Sequence, residues 1–190
     1  MTDIYEGIRE IKKYALDHQV PIMQDEGIDF LTDYIAKNQV KKVLEIGTAI
    51  GYSAIMMALS NPQLTVVSIE RDRDRYLEAV KNVKEMHLDQ RITLLYKDAF
   101  DVSFQEKFDL IFIDAAKGQN IKFFEKFSYY LADSGTIITD NIYFHGLVDT
   151  PLEEIESRSL RSLVRKIKNY ICFLNDHPTF QTTFYRIGDG

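Results

Sequence analysis

The sequence predicts an α/β fold: a doubly wound, mostly parallel sheet with helices on both faces, formed by residues 1–190 as one domain. Three observations support this prediction. Short apolar runs typical of buried strands alternate with stretches whose apolar residues recur at helical spacing. The first of these runs leads into a turn that contains two glycines. Several runs end on a polar side chain, as strands do at the ligand-binding edge of an open α/β sheet.

The individual elements are predicted from the period of the apolar residues. Before the first strand, two amphipathic helices are indicated, one over residues 3–17 and one that begins near Asp25. Six strands are predicted, at residues 43–46, 65–69, 92–96, 108–113, 135–139 and 180–187. Helical patterns follow four of these strands, over residues 52–60, 72–87, 119–131 and 151–175.

The turn after the first strand contains Gly47 and Gly51, with three residues between them. Glycines let the backbone turn tightly and approach a ligand closely where a strand leads into a helix. This spacing, and Glu45 in the strand end, differ from the G-x-G-x-x-G pattern of dinucleotide-binding proteins. The turn therefore argues against an NAD-dependent oxidoreductase. A purely structural turn is the alternative to a ligand-binding one.

Composition and charge restrict the classes of function. The formal net charge of −6 argues against a protein that coats nucleic acid non-specifically, although it leaves room for a local basic patch. No apolar run approaches the roughly 18 residues of a membrane span, and the N-terminus does not resemble a signal peptide. The single cysteine, Cys172, excludes an intrachain disulfide. We therefore expect a cytoplasmic protein with no membrane partner.

Polar side chains stand at the ends of five predicted strands. They are Glu45, Glu70, Asp98, Asp114 and the pair Asp140-Asn141. Because the carboxyl ends of parallel strands meet at one edge of a sheet, we expect these side chains to line a common crevice. Each of them alone is compatible with a helix N-cap or a solvated turn. Five at the same edge favour a binding site.

Six segments, in order along most of the chain, resemble motifs of the cation-dependent O-methyltransferases. These Rossmann-like class I methyltransferases include caffeoyl-CoA and catechol O-methyltransferases, and the similarity is greatest to the bacterial branch that contains tRNA 5-hydroxyuridine methyltransferase. The segments are VLEIGTAIGYS (43–53), SIE (68–70), KDAF (97–100), FDLIFIDAAKGQ (108–119), GTIITDN (135–141) and HPTFQTTFYRIGDG (177–190). The resemblance implies an O-methyltransferase that uses S-adenosylmethionine and forms a homodimer.

The resemblance also implies which residues hold S-adenosylmethionine. Glu70 would accept hydrogen bonds from both ribose hydroxyls, since a carboxylate at the end of the second strand suits that role. Asp98, with Ala99, would lie beside the adenine and accept a hydrogen bond from its exocyclic amine. The residues placed around the methionine portion are Met23, Glu45, Gly47 and Ser53, and Asp114 is a further implied cofactor-binding residue.

Three side chains supply oxygens suited to a divalent metal, namely Asp114, Asp140 and Asn141. Carboxylate and amide oxygens favour an octahedral cation, so Mg²⁺ (or Mn²⁺) is predicted, and the lack of a Cys/His cluster argues against zinc. A cation that binds two neighbouring acceptor oxygens would lower the pKa of the hydroxyl to be methylated. A β-turn or helix cap is the alternative explanation of the Asp140-Asn141 pair.

Lys117, three residues after Asp114, is the predicted base that accepts the hydroxyl proton, and the resemblance implies the same role. Together with Asp114 it forms the predicted catalytic pair. A dication and a cationic sulfonium nearby would lower the pKa of this lysine. A solvated Lys117 is the alternative, and His145 is a second candidate.

Two classes of acceptor remain open. One is a hydroxylated wobble uridine in the tRNA anticodon region, whose 5-hydroxyl and 4-carbonyl form a chelating pair; the other is a small catechol or hydroxycinnamoyl-type phenol. Asn120 and Ile171 depart from residues common in the family, and both fall on the acceptor side. A basic amphipathic stretch could contact phosphates, or could be a solvated helix face. Its cations are Arg158, Arg161, Arg165, Lys166 and Lys168.

Overall fold

The computed structural model describes residues 3–188, which form five strands and six α-helices. The strands are β1 (Lys42–Ile46), β2 (Thr65–Glu70), β3 (Ile92–Tyr96), β4 (Phe108–Ile113) and β5 (Leu131–Thr139). The helices are α1 (Ile4–Asp17), α2 (Asp25–Lys37), α3 (Tyr52–Ser60), α4 (Arg73–Glu85), α5 (Asn120–Ser128) and α6 (Arg158–Asn175). All neighbouring strands pair in parallel, in the order β3-β2-β1-β4-β5, which confirms the predicted doubly wound α/β fold.

Helices cover both faces of the sheet because successive side chains of each strand point to opposite faces. On one face, Val43 of β1 belongs to a core that includes Ile55 of α3 and residues of α1, α2 and α4. On the other face, Leu44 belongs to a core with Phe127 of α5. Helix α6 extends this second layer, where Tyr170 packs with side chains of α5. None of the helices in residues 3–188 is long and apolar enough to cross a membrane.

The strand order reverses between β1 and β4, which are neighbours at the centre of the sheet. The chain leaves β1 toward β2 and β3 on one side, and leaves β4 toward β5 on the other. At such a reversal the connections diverge, so that a crevice opens at the carboxyl ends of the two central strands. The residues that begin this crevice are Gly47, after β1, and Asp114, after β4.

The predicted sixth strand is wrong, because residues 180–187 form no strand in the described part of the chain. Burial does alternate along this segment: Phe180, Thr182 and Phe184 are half-buried, whereas the residues between them are exposed. A cleft of about 360 Å³, lined both by β5 and by residues 180–187, leaves the segment unpaired with the β5 edge. A strand requires a hydrogen-bonding neighbour as well as an alternating pattern. Asp189 and Gly190, the end of the last motif, lie outside the described residues.

Two predicted helix boundaries were also wrong. The helix predicted over residues 119–131 ends at Ser128, and β5 begins earlier than predicted, with a bulge opposite Phe108–Leu110. The helix predicted from residue 151 begins only at Arg158. Its N-cap is Ser157, whose hydroxyl accepts a hydrogen bond from the backbone N–H of Leu160 at 3.3 Å.

Candidate active site

A cavity of about 420 Å³ opens at the carboxyl edge of the sheet, where the strand order reverses. It brings together most of the residues that the sequence singled out. The predicted residues that line it are Met23, Gly47, Glu70, Asp98, Ala99, Asp114, Lys117, Asp140 and Asn141. Glu45 and Ser53 are absent from its lining and lie in the buried layer behind it. The crevice itself was therefore predicted correctly, while the role of each residue stays a prediction.

Gly47 allows β1 and β4 to end close together. Its backbone has a φ of +103°, and a Cβ at this position would lie 2.0 Å from the carbonyl oxygen of Asp114. Any side chain would therefore collide with the backbone that leads out of β4. The turn is held by hydrogen bonds from the backbone N–H of Gly47 to Ile69 and of Gly51 to Thr48. Gly47 is therefore needed for the ends of β1 and β4 to pack this closely, and the same packing brings the backbone of the turn next to the cavity.

Glu70 is fixed at the end of β2 by three backbone donors. Its carboxylate accepts hydrogen bonds from the N–H groups of Ala49 at 2.8 Å, Arg71 at 2.9 Å and Asp72 at 2.8 Å. The residue is only 8% exposed, and it lines the cavity. These bonds give the carboxylate a fixed orientation before any ligand binds. They also connect it to the glycine-containing turn through Ala49.

Glu45 and Ser53 form a buried polar network beneath this turn. The Glu45 carboxylate accepts hydrogen bonds from the hydroxyls of Ser53 and Ser68, and the Ser68 hydroxyl also pairs with that of Thr48. Burial raises the pKa of Glu45 to about 7, while the two serine hydrogen bonds oppose this shift. Because neither Glu45 nor Ser53 lines the cavity, they are placed to support the turn from behind.

Asp98 lies at the rim of the cavity and also begins a short 3-10 turn, whose Phe100 N–H it caps at 2.9 Å. The Arg71 guanidinium is 3.6 Å from its carboxylate. Arg71, Arg75 and Lys97 line the same cavity, and the sequence analysis did not single them out. Two of them could have been found, because Arg71 directly follows Glu70 and Lys97 directly precedes Asp98. They add positive charge to the rim.

Lys117 connects the ends of β4 and β5. Its ammonium donates a hydrogen bond to the Asp114 carboxylate at 2.7 Å and another to the backbone carbonyl of Asp140 at 3.1 Å. The lysine side chain is 13% exposed and that of Asp114 is 30% exposed. The alternative of a solvated surface lysine is therefore wrong. The Lys117 ammonium therefore links the residue after β4 to the residue after β5.

Asp114, Asp140 and Asn141 offer the oxygens that a hard divalent cation prefers. All three line the cavity, and the backbone of Asn141 adopts a left-handed φ of +53° directly after the strand. Within residues 3–188 no group of three His, Cys, Asp or Glu side chains is arranged to hold a metal ion. A site here would therefore combine the two carboxylates with the amide oxygen of Asn141. This donor set fits Mg²⁺ or Mn²⁺ and not zinc.

His145 does not line the cavity and lies in the loop after Asn141. This loop contains a second left-handed stretch, with φ values of 47° at Phe144, 54° at His145 and 80° at Gly146. Its far end is held by Arg186, whose guanidinium pairs with both oxygens of Asp149 at 2.8 and 3.1 Å. The same contact lowers the pKa of Asp149. His145 is thus not among the residues that line the cavity, whereas Lys117 is.

The basic stretch forms the surface of α6, but its cations have different surroundings. Arg161 donates two hydrogen bonds to the carbonyl of Ile155, and Lys168 donates one to the carbonyl of Thr150 at 2.9 Å. These two side chains stabilise the segment before α6. Arg158, Arg165 and Lys166 are exposed. A Cβ on Gly118 would lie 3.4 Å from the Lys166 side chain, so this cation is adjacent to the Lys117 turn.

Comparison with known protein sequences gives consistent matches over the whole chain. A family model described as O-methyltransferase matches residues 2–190. Caffeoyl-CoA O-methyltransferase of Populus kitakamiensis is 26% identical over 187 residues, which cover 94% of this chain and 79% of that protein. Flavonoid 3',5'-methyltransferase of Vitis vinifera is 25% identical over 198 residues, which cover 97% of this chain and 83% of that protein.

Solved structures share the fold closely. A Staphylococcus aureus protein, provisionally described as a caffeoyl-CoA O-methyltransferase, superposes with a TM-score of 0.91 at 34% identity, covering 96% of this chain and 88% of its own. An O-methyltransferase from Bacillus cereus, solved in complex with SAH (S-adenosylhomocysteine), superposes with a TM-score of 0.79 at 24% identity. That match covers 94% of this chain and 82% of the other, and it supports the fold alone.

Proposed function

We propose an acceptor and a metal for this chain, which belongs to the O-methyltransferase family and is an S-adenosylmethionine-dependent methyltransferase. The acceptor is the 5-hydroxyl of 5-hydroxyuridine at the tRNA wobble position, and the product is 5-methoxyuridine. The metal is Mg²⁺ or Mn²⁺. The observation that carries the proposal is one cavity in which Asp114, Asp140 and Asn141 lie beside Lys117.

Asp114, Asp140 and Asn141 are the residues that would hold the metal. When bound, a divalent cation would acidify an acceptor hydroxyl that has a second oxygen beside it, and would orient that hydroxyl. The chain positions these ligands through its sheet, since the N–H of Asp114 donates to Ile46 and that of Asp140 donates to Ile113. The backbone of Asp114 and that of Asp140 are therefore both fixed by hydrogen bonds to the central strands.

Lys117 is the group that accepts the proton of the acceptor hydroxyl. Its Nζ is held between the ends of β4 and β5, in the same cavity as Glu70 and Asp98, and the proton would be accepted by the lone pair of the neutral amine. A base must lie within hydrogen-bonding reach of the proton that it removes. The position of Lys117 beside Asp114 and Asp140 supports this role for an acceptor bound next to those two residues.

Glu70 binds the ribose of S-adenosylmethionine. We expect Glu70→Ala to weaken cofactor binding by roughly 2–4 kcal/mol, because a carboxylate with charge-assisted hydrogen bonds is lost. Isothermal titration calorimetry with S-adenosylmethionine measures the change, and Asp89→Ala, at an exposed acid in the turn before β3, is the control. An unchanged dissociation constant for Glu70→Ala would rule out the ribose assignment.

A phosphate-bearing acceptor is supported by the positive charge around the cavity. Arg71, Arg75 and Lys97 line it, and the exposed Lys166 of α6 lies next to Gly118, with the exposed Arg165 beside it in the sequence. Phosphate contacts position a nucleic acid without reading its sequence, so the base would be selected in the cavity itself. A single-stranded or flipped-out wobble base can enter a crevice that a stacked base cannot reach. A small neutral phenol would gain nothing from these cations.

Charge reversal on α6 separates the two acceptor classes. Arg165→Glu/Lys166→Glu should weaken tRNA binding by about 10-fold or more at low salt and reduce its salt-dependence slope by about 2. Arg161 is left intact because it holds the Ile155 carbonyl and its loss would disturb the fold. Binding is measured by filter retention over a range of salt concentrations.

The control for this pair is Lys37→Glu/Lys84→Glu, which changes the net charge equally at exposed positions of α2 and α4. The control should bind tRNA nearly as well as the wild type. Turnover of a small catechol should be unchanged in both double variants. Equal losses on tRNA and catechol would show that the α6 cations are structural.

The acceptor itself is tested by nucleoside mass spectrometry. tRNA that carries 5-hydroxyuridine is incubated with the protein, S-adenosylmethionine and Mg²⁺, then digested to nucleosides. We expect 5-methoxyuridine to appear in proportion to the S-adenosylhomocysteine formed. If a small catechol is methylated while this tRNA is not, the acceptor is a phenol and the tRNA proposal is wrong.

A further inference from the structure

The edge strand β5 is held on its two faces by two tyrosine–threonine hydrogen bonds. On the face that packs against α2, the hydroxyl of Tyr34 lies 2.6 Å from that of Thr136. On the face that packs against α6, the hydroxyl of Tyr170 lies 2.8 Å from that of Thr139. The two pairs share their chemistry and their strand. They differ in their distance along the chain from the Asp140-Asn141 turn.

Tyr170 is a rigid anchor for its threonine. The residue is 1% exposed, and its ring lies among aromatic rings of α5 and α6, 6.4 Å from Phe124 and 6.2 Å from Phe173 between centroids. Burial raises the pKa of Tyr170 to about 12, so the hydroxyl keeps its proton at neutral pH. A hydroxyl fixed by packing in this way defines where the Thr139 side chain can lie.

Thr139 is the last residue of β5 and directly precedes Asp140. Beyond it the regular pairing with β4 gives way to a turn, in which Asn141 adopts a left-handed backbone. The Asp140 backbone is bonded to Ile113 through its N–H and to Lys117 through its carbonyl. The bond between Tyr170 and Thr139 therefore fixes the side chain of the last strand residue from outside the cavity lining.

We propose that Tyr170 is a positioning residue for the divalent-cation site: through Thr139 it orients the Asp140-Asn141 turn. This inference rests on the proposed function, because it assumes that Asp140 and Asn141 bind the metal. Groups that orient metal ligands are worth about 10- to 100-fold in metal affinity when they contact the ligands directly. Because Tyr170 contacts Thr139 and not a metal ligand itself, we expect its loss to weaken metal affinity by an amount near the lower end of this range.

The test is the affinity of the protein for Mn²⁺, measured by electron paramagnetic resonance of the free ion. Tyr170→Phe should raise the Mn²⁺ dissociation constant by about 10-fold. Tyr34→Phe, which removes the same kind of bond from the same strand, should leave it within about 2-fold. S-adenosylmethionine affinity should be unchanged in both variants. With Tyr170→Phe, more Mg²⁺ should be needed for half-maximal activity, and kcat should recover at saturating Mg²⁺.

Substitutions at Thr139 test whether Tyr170 influences Mn²⁺ affinity through the Thr139 hydroxyl. Thr139→Val removes the hydroxyl and should weaken Mn²⁺ binding as Tyr170→Phe does. The Thr139→Val/Tyr170→Phe double variant should bind Mn²⁺ no more weakly than either single variant. Thr139→Ser keeps the hydroxyl and should bind Mn²⁺ like the wild type. If the wild type binds Mn²⁺ but all variants bind it equally well, the positioning role is wrong and the metal site stands. If the wild type does not bind Mn²⁺, the proposed metal site is itself wrong.

Discussion

Asp140→Ala should reduce methyl transfer by at least about 10³-fold, because the metal and its several kcal/mol of charge stabilisation are lost with this ligand. The Asp140 side chain lines the cavity, while its backbone carbonyl, which Lys117 contacts, remains in the variant. The fold around the turn should therefore persist. Turnover is measured as S-adenosylhomocysteine formed, and S-adenosylmethionine affinity, measured by calorimetry, should change little.

The matched control is Asp133→Ala, an exposed acid in the bulged part of the same strand. It removes the same charge from β5 far from the cavity and should keep wild-type activity. Activity of Asp140→Ala within a few-fold of the wild type would mean that this carboxylate holds no essential metal. The Asp140-Asn141 pair would then be a turn, as the composition of that segment also allows.

Lys117→Met should lower kcat by about 10²–10⁴-fold with little change in the dissociation constants of cofactor and acceptor, since proton removal matters in the transition state. Methionine keeps much of the length of the side chain but cannot accept a proton. It also loses the bonds to Asp114 and Asp140, so metal affinity is measured alongside to separate the two effects.

Lys122→Met is the control for this substitution, because Lys122 is an exposed cation five residues further along, on α5. Its activity should match that of the wild type. A Lys117→Met variant that keeps its kcat would show that the metal alone acidifies the hydroxyl. Lys117 would then serve only to hold the two strand ends together.

The position of the crevice could be predicted because it follows from local patterns. Four of the predicted strands match the observed ones to within a residue. The polar residues at the ends of these strands are enough to place the crevice at the carboxyl edge of the sheet. Parallel pairing then brings Glu70, Asp114 and Asp140 into one cavity, although they are far apart in the sequence. The turn at Gly47 was recognisable because only glycine fits so close to the Asp114 carbonyl.

The parts that could not be predicted depend on contacts between distant segments. Residues 180–187 alternate like a strand, but whether a neighbour lies within hydrogen-bonding distance is decided by the β5 edge and not by the segment. A shorter-range contact was also missed, because Arg161 has the spacing of a solvent-exposed cation on α6 yet binds the carbonyl of Ile155 in the loop before that helix. Tyr170 and Thr139 are 31 positions apart, and nothing in their spacing indicates a hydrogen bond.

We propose that methyl transfer by this chain requires a divalent cation at the edge formed by Asp114, Asp140 and Asn141. The most direct test is the initial rate of S-adenosylhomocysteine formation by EDTA-stripped protein as Mg²⁺ is added back, with 5-hydroxyuridine tRNA and a catechol offered separately. We expect no turnover of either acceptor without the metal and full recovery of the preferred one as Mg²⁺ saturates. An equal rate with and without Mg²⁺, on whichever acceptor is used, would contradict the claim.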